Sequence, residues 1–86
     1  MAERIVANRF SELLAVKARR EKRRISNRDV ARELGLARGT IDAYANNSVK
    51  RFDAPTILLL CNYLDCTPGD LLVIEDPEME TPLLPA

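Results

Sequence analysis

The twenty residues from Asn27 to Asn46 constrain the fold of this 86-residue chain more than any other segment does. Two short stretches with apolar residues at helical spacing are separated by Gly35, which readily adopts the left-handed conformation that ends a helix. Ala31, four residues before this glycine, is small enough for a second helix to cross close above it. The segment therefore predicts two short helices that are joined by a tight turn and packed across each other.

Both helices of this pair have predictable ends. Ser26 is expected to cap the first helix, because Asp29 follows three residues later and completes a capping box. The second helix places Ile41 and Tyr44 on its buried side. It is expected to end at the turn-prone asparagines 46 and 47.

One further helix is predicted before the pair and two are predicted after it. Apolar residues recur at three- and four-residue steps from Ile5 and predict a first helix that continues through Arg24. Asp53 is a good cap for a fourth helix. Thr67 is expected to cap a short fifth helix, with Asp70 completing a second capping box. The predicted fold class is all-α, with five helices.

The C-terminal part of the chain is predicted to be less regular. Val73 and Ile74 are β-branched and allow a short C-terminal strand. Residues 77–86 are acidic, contain proline and show no periodicity. We therefore expect a flexible tail after a single domain of residues 1–76.

The composition disfavours several classes of protein. No apolar run approaches the roughly 18 residues of a membrane span and the N-terminus does not resemble a signal peptide, so a cytoplasmic protein is expected. Cys61 and Cys66 are the only cysteines, and the chain has no histidine. We expect buried free thiols, with a disulfide or redox pair as the alternative, and neither a metal nor another cofactor. The chain also lacks the motifs that would indicate an enzyme.

The charges are distributed unevenly along the chain although they sum to zero. All 13 Lys and Arg residues lie in residues 1–51, which contain only six acids and carry a net charge of +7. The remaining residues contain seven acids and no base. This asymmetry suggests one face that is turned toward phosphates and another that is turned away from them.

The chain resembles the XRE or Cro/phage-repressor type of helix-turn-helix regulators over Asn8 to about Asp76. Two strings carry the resemblance, in the same order and spacing as in the family: SNRDVARELGL followed by GTI, and VKRFDAPTILLLCNYLDCTPGDLL. The resemblance implies a five-helix, lambda-repressor-like DNA-binding domain. In such domains the second helix of the motif lies in the major groove, usually as one half of a two-fold dimer on a palindromic operator.

The resemblance implies base contacts at four positions of this recognition helix, namely Arg38, Gly39, Asp42 and Ala43. Arg38 is the best candidate because arginine can hydrogen-bond guanine bidentately. Gly39 and Ala43 have no side-chain group that can hydrogen-bond a base. Asp42 is repelled by phosphates, although it could accept a hydrogen bond from the cytosine amino group. Few bases are therefore expected to be read directly.

Phosphate contacts are implied on both sides of the recognition helix. Asn27 would hold a phosphate near the N-terminus of its own helix, where backbone N–H groups also help. The other candidates are Thr40, Asn46, Asn47, Lys50 and Arg51. The basic run at residues 19–24 remains open, either as a phosphate grip or as a solvated helix end.

The fourth helix carries apolar residues outside its predicted buried face, which suggests self-association. Leu58, Leu59 and Tyr63 either widen the core or form a homodimer interface. Val73 and Ile74 offer a second route, in which strands pair across a two-fold axis.

The function that we expect is sequence-specific binding of double-stranded DNA by a homodimeric transcriptional regulator that represses by occupying its operator. The alternative is a protein-interaction module on the same fold, such as an antitoxin or an adaptor. The zero net charge and the sparse reading surface favour this alternative.

Overall fold

Capping residues and apolar spacing divide the chain into short elements. The computed structural model describes residues 4–75, which contain, in order, β1 (Ile5–Asn8), α1 (Phe10–Glu21), α2 (Asn27–Leu34), α3 (Arg38–Ala45), α4 (Ala54–Leu64), α5 (Pro68–Leu71) and β2 (Leu72–Glu75). The predicted five-helix architecture with a short C-terminal strand is confirmed. The tail predicted at residues 77–86 lies outside the described residues.

The core is built from all five helices. Its largest fully buried side chains are Phe10, Val30, Ile41, Leu60 and Leu71. Phe10 and Tyr44 pack with their ring centroids 6.3 Å apart, and Tyr44 in turn meets Phe52 at 6.0 Å. These aromatic contacts join α1 and α3 to the loop that precedes α4.

Both ends of α2 have the predicted chemistry. The Ser26 hydroxyl accepts from the Asp29 N–H at 3.1 Å, and the Asp29 carboxylate accepts from the Ser26 N–H at 2.9 Å. Gly35 ends α2 with a φ of 70°, a conformation that strains residues with a side chain. Ala31 is buried in α2, and α2 packs against α3.

An antiparallel two-stranded sheet joins the two ends of the described chain. β1 pairs with β2 in a register that sets Val6 opposite Ile74. The prediction of a helix from Ile5 was therefore wrong in its first turn, because β-branched Ile5 and Val6 favour a strand when a partner strand is present. α1 begins only after Asn8, whose side-chain oxygen accepts from the Phe10 N–H at 2.9 Å.

The C-terminal end of α1 also differs from the prediction. The helix stops at Glu21 rather than continuing to Arg24, because Lys22 takes the left-handed conformation with a φ of 56°. The Arg23 N–H then donates to the Ala18 carbonyl at 3.0 Å. Ile25 is buried in the core and anchors the turn that leads into α2.

The two cysteines are free thiols at the C-terminal end of α4. Cys61 is buried and Cys66 is half-buried. Burial, together with the neighbouring Cys61 thiol, raises the pKa of the Cys66 thiol to about 11. Because the thiolate is the reactive form, Cys66 is a poor nucleophile at neutral pH.

Among residues 4–75, no helix combines the length and apolar character needed to cross a membrane. Within the same range, no group of three or more His, Cys, Asp or Glu residues is placed to hold a metal ion.

Candidate nucleic-acid interface

The exposed surface of α3 is set by the side chains that the helix buries. Ile41 and Tyr44 face the core with 0% and 3% of their surface exposed. Arg38 and Gly39 are exposed at the start of the helix, while Asp42 and Ala43 are half-buried in its middle. The four positions predicted to contact bases therefore lie at the start and middle of α3 and retain some exposure to solvent.

Asp42 has two partners within the motif. Asn27 Nδ2 donates to Asp42 Oδ1 at 3.3 Å, and Arg38 Nε lies 3.6 Å from the same oxygen. The first contact ties the N-terminus of α2 to the middle of α3. The second holds the Arg38 side chain along α3, although 62% of that side chain remains exposed.

The asparagines after α3 have different surroundings. Asn46 is exposed, whereas the Asn47 side-chain oxygen accepts from the backbone N–H of Asn8 at 2.9 Å and from its side chain at 3.2 Å. Asn47 also has a φ of 59°, which asparagine tolerates better than most residues. Asn47, predicted to contact phosphate, therefore also joins the end of α3 to β1.

Two cations flank the exposed surface of α3. Lys50 and Arg51 are exposed in the loop after α3. Neither has an acidic partner within 4.0 Å among residues 4–75. Their charges are therefore available to a polyanion.

A cavity of about 410 Å³ lies beneath this loop. Its lining comes from α3, the loop and the start of α4, and consists of Thr40, Ala43, Tyr44, Ser48, Val49, Lys50, Arg51, Asp53 and Thr56. The Tyr44 hydroxyl is buried without a hydrogen-bond partner in the described chain. Burial, and then the Asp53 carboxylate, raise the pKa of Tyr44 above its ordinary value.

The predicted dimer residues fall on two separate surfaces. Leu58 and Leu59 of α4 are 60% and 37% exposed. Ile74 of β2 is 61% exposed, whereas Val73 is half-buried opposite Ala7. One edge of β2 is already paired with β1, so strand pairing between two copies would use an outer edge of this sheet.

Tyr63 belongs to a polar network rather than to an open apolar surface. Its hydroxyl donates to the Glu33 carboxylate at 2.9 Å, and Lys17 Nζ lies 4.5 Å from its ring centroid. Burial and the bond to Glu33 raise the pKa of Tyr63 to about 12. The hydrogen bond from Tyr63, followed by that from Arg23, lowers the pKa of Glu33.

The network continues into the basic run at residues 19–24. Glu21 lies 2.7 Å from Lys17 Nζ and 2.8 Å from Arg23 Nε. These hydrogen bonds lower the pKa of Glu21 from 4.5 to about 2. Arg23 also reaches Glu33 at 3.5 Å, so one member of the basic run is committed to an internal contact.

Sequence reasoning missed two features of this surface. Arg28, at the second position of α2, is exposed beside Asn27, and its basic character next to a candidate phosphate contact was the available signal. Val6 exposes 51% of its surface, and Ile74, opposite it in the sheet, exposes 61%. This apolar patch depends on the pairing of β1 with β2, which no local pattern indicates.

The geometry first defines the class of protein. Two short helices cross at a glycine turn, and the second is exposed beside unpaired cations, as in a helix-turn-helix DNA-binding domain. Residues 15–77 match the family model of the Cro/C1-type HTH DNA-binding domain, and the chain belongs to this family. Comparisons with curated proteins and with solved structures found no significant match. The resemblance inferred from the sequence is confirmed, and β1 lies before the matched residues.

Proposed function

We propose that this DNA-binding chain is a transcriptional repressor that binds a palindromic operator as a homodimer and acts by occupying it. In this proposal Arg38 reads a base edge, with Gly39, Asp42 and Ala43 beside it in the groove. The phosphate contacts come from Asn27, Thr40, Asn46, Asn47, Lys50 and Arg51.

The observation that carries the proposal is the placement of exposed cations around α3. Arg38 lies at the start of this helix, and Lys50 and Arg51 lie in the loop that follows it. Arginine can recognise guanine in the major groove, whereas contacts to phosphates position the helix without reading sequence. The same surface therefore offers one group for specificity and two for affinity.

A homodimer is favoured because one copy offers few side chains that can contact base edges. Among the four candidate base-contacting positions, only Arg38 has a long side chain that is largely exposed. A two-fold pair would present two such helices to half-sites about one helical turn apart. The exposed leucines of α4 offer an apolar surface on which two copies can associate.

Selection of bound sequences from a random pool of duplexes tests the operator and the dimer together. We expect an enriched palindrome with a conserved guanine in each half-site and a fixed spacing between the half-sites. Enrichment of a single, non-repeated site would overturn the homodimer. Failure to enrich any sequence at low salt and micromolar protein would favour the protein-interaction module instead.

Repression is tested by placing the selected operator inside a promoter in a purified transcription reaction. Transcription should fall in proportion to operator occupancy, and Arg38→Ala should shift the fall to higher protein concentration. An increase in transcription on binding would overturn the assignment as a repressor.

A further inference from the structure

The turn between α1 and α2 carries the largest group of unpaired cations in the described chain. Residues 19–28, which we call the α1–α2 corner, contain six basic residues and a single acid. Five of the six are exposed and have no acidic partner within 4.0 Å among residues 4–75. They are Arg19, Arg20, Lys22, Arg24 and Arg28.

The sixth basic residue fixes the corner to the rest of the domain. Arg23 binds Glu21 of α1 and Glu33 of α2, and Glu33 accepts a hydrogen bond from Tyr63 of α4. The only acid of the corner is thereby neutralised, since Glu21 also pairs with Lys17. Buried Ile25 holds the backbone of the same turn. The remaining cations are therefore presented from a fixed backbone, which lowers the entropy lost on binding.

The position of the corner relative to α3 indicates its partner. Asn27, within the corner, donates to Asp42 in the middle of α3. Arg24 and Arg28 lie within three residues of Asn27 in the chain. A duplex whose major groove accepts α3 therefore brings its phosphate backbone past the α2 side of that helix.

We infer that the α1–α2 corner is a second phosphate-binding surface, which holds the DNA backbone on the α2 side of the groove entered by α3. This inference rests on the proposed operator binding and extends it to residues beyond the motif. Arg20 and Arg24 act through their charges alone, so they add affinity equally for all sequences. The recognition helix retains the sequence preference.

The double variant Arg20→Ala/Arg24→Ala tests the inference on the duplex obtained by selection. Each phosphate contact contributes a slope of about 0.9 to the dependence of log affinity on log salt. Two contacts are lost in each copy of the homodimer, so we expect the double variant to reduce that slope by about 3.6. It should also lose phosphate-ethylation interference at the phosphates on the α2 side of each half-site. Its base preference should be unchanged.

Arg9→Ala/Arg32→Ala is the matched control. It removes the same formal charge, but both of these arginines have acidic partners, Glu12 for the first and Asp29 for the second. The control should retain the parent slope and the parent interference pattern. Thermal unfolding should be similar for both double variants, since all four side chains are on exposed residues.

The outcomes separate the inference from the proposed function. An enriched palindrome together with an unchanged slope and interference pattern in Arg20→Ala/Arg24→Ala would overturn the inference and leave operator binding intact. Equal losses in the two double variants would also overturn it, because they would show an effect of net charge. If the parent enriched no sequence, the operator proposal and the inference would both fail.

Discussion

Arg38 and Asp42 lie one helical turn apart on α3, and their side chains form an ion pair at 3.6 Å. The Arg38 and Asp42 side chains are 62% and 41% exposed, so solvent screens the pair and it contributes at most about 1 kcal/mol. Separating it to let Arg38 reach a base therefore costs little. Asp42 remains hydrogen-bonded to Asn27 when Arg38 leaves, which gives it a structural role besides any contact with DNA.

Arg38→Ala should weaken sequence discrimination more than it weakens general affinity. Loss of a bidentate contact to guanine costs about 1–3 kcal/mol of discrimination, which should appear as a relaxed preference at one position of each half-site. Competition binding with operators substituted at single base pairs measures this. Arg51→Ala is the contrasting variant, and it should weaken binding to all of these operators alike. A uniform loss in Arg38→Ala would contradict a base contact.

Tyr44→Phe should stabilise the fold. The Tyr44 hydroxyl is buried without a partner in the described chain, and an unsatisfied buried polar group costs about 1–3 kcal/mol. We expect the free energy of unfolding in urea to rise by about 1 kcal/mol. Tyr63→Phe is the matched control and should lower it, because the Tyr63 hydroxyl is bonded to Glu33. A loss of stability in Tyr44→Phe would show that the hydroxyl is satisfied in solution.

Residue roles were predictable from the sequence where both partners are close in the chain. The capping boxes at Ser26 and Thr67 each connect residues three positions apart, and both are present. The contacts of Asn47 and Tyr63 span 39 and 30 positions. Their partners depend on how the helices pack, which local spacing does not encode.

At the scale of elements, the errors lie at the two ends of α1. Apolar spacing correctly predicts the helix between Phe10 and Lys17, but a strand of four residues at its start has too little alternation to be distinguished from a helical turn. The partner strand that stabilises it lies at the other end of the described chain. α2 to α5 were predicted more closely, because side-chain caps mark the start of α2, α4 and α5, and Gly35 separates α2 from α3.

Because the hydrogen bonds around Glu21 lower its pKa, we expect the fold to lose stability in acid. The folded-state pKa of Glu21 is about 2 and its ordinary value is 4.5, so its contribution is present above pH 4.5 and is lost as the pH falls toward 2. Urea unfolding followed by circular dichroism between pH 7 and pH 2.5 measures this.

Between pH 7 and pH 2.5, the free energy of unfolding should fall less in Glu21→Gln than in the parent. Glu12→Gln, at the other end of the same helix, is the matched control and should keep the steeper fall. Part of the fall should remain in Glu21→Gln, because hydrogen bonds also lower the pKa of Asp29, Glu33 and Asp70. Identical curves for Glu21→Gln and the parent would contradict the network.

At the scale of the whole molecule, basic and acidic residues are concentrated in different parts of the chain. All basic residues precede Phe52. The charged residues of the described chain after Arg51 are all acidic, and two of them, Asp53 and Asp70, take part in the N-terminal caps of α4 and α5. The exposed leucines of α4 lie in this acidic part. The proposed dimer contact on α4 therefore contains no basic residue of that helix that DNA would also need.

Leu58→Glu should convert the proposed dimer into a monomer. Leu58 is 60% exposed, so the substitution should leave the fold intact while placing like charges across a two-fold interface. Sedimentation at tens of micromolar should show a fall from twice the chain mass to 9.7 kDa. Ile74→Glu is the comparison on the sheet, and a monomer from this variant alone would assign the interface to the strands. A parent that is already monomeric at this concentration would contradict the dimer.

The pairing of β1 with β2 also has a kinetic consequence. Its register joins Asn8 to Leu72 and Ile5 to Glu75, so closing this sheet encloses nearly all of the described residues in one loop. Closing so long a loop costs more conformational entropy than forming a helix from local contacts. The helices are therefore expected to form before the two strands pair. The sheet should therefore be the last element to assemble and the first to open. Its amide protons should exchange with solvent while those of α2 and α4 remain protected.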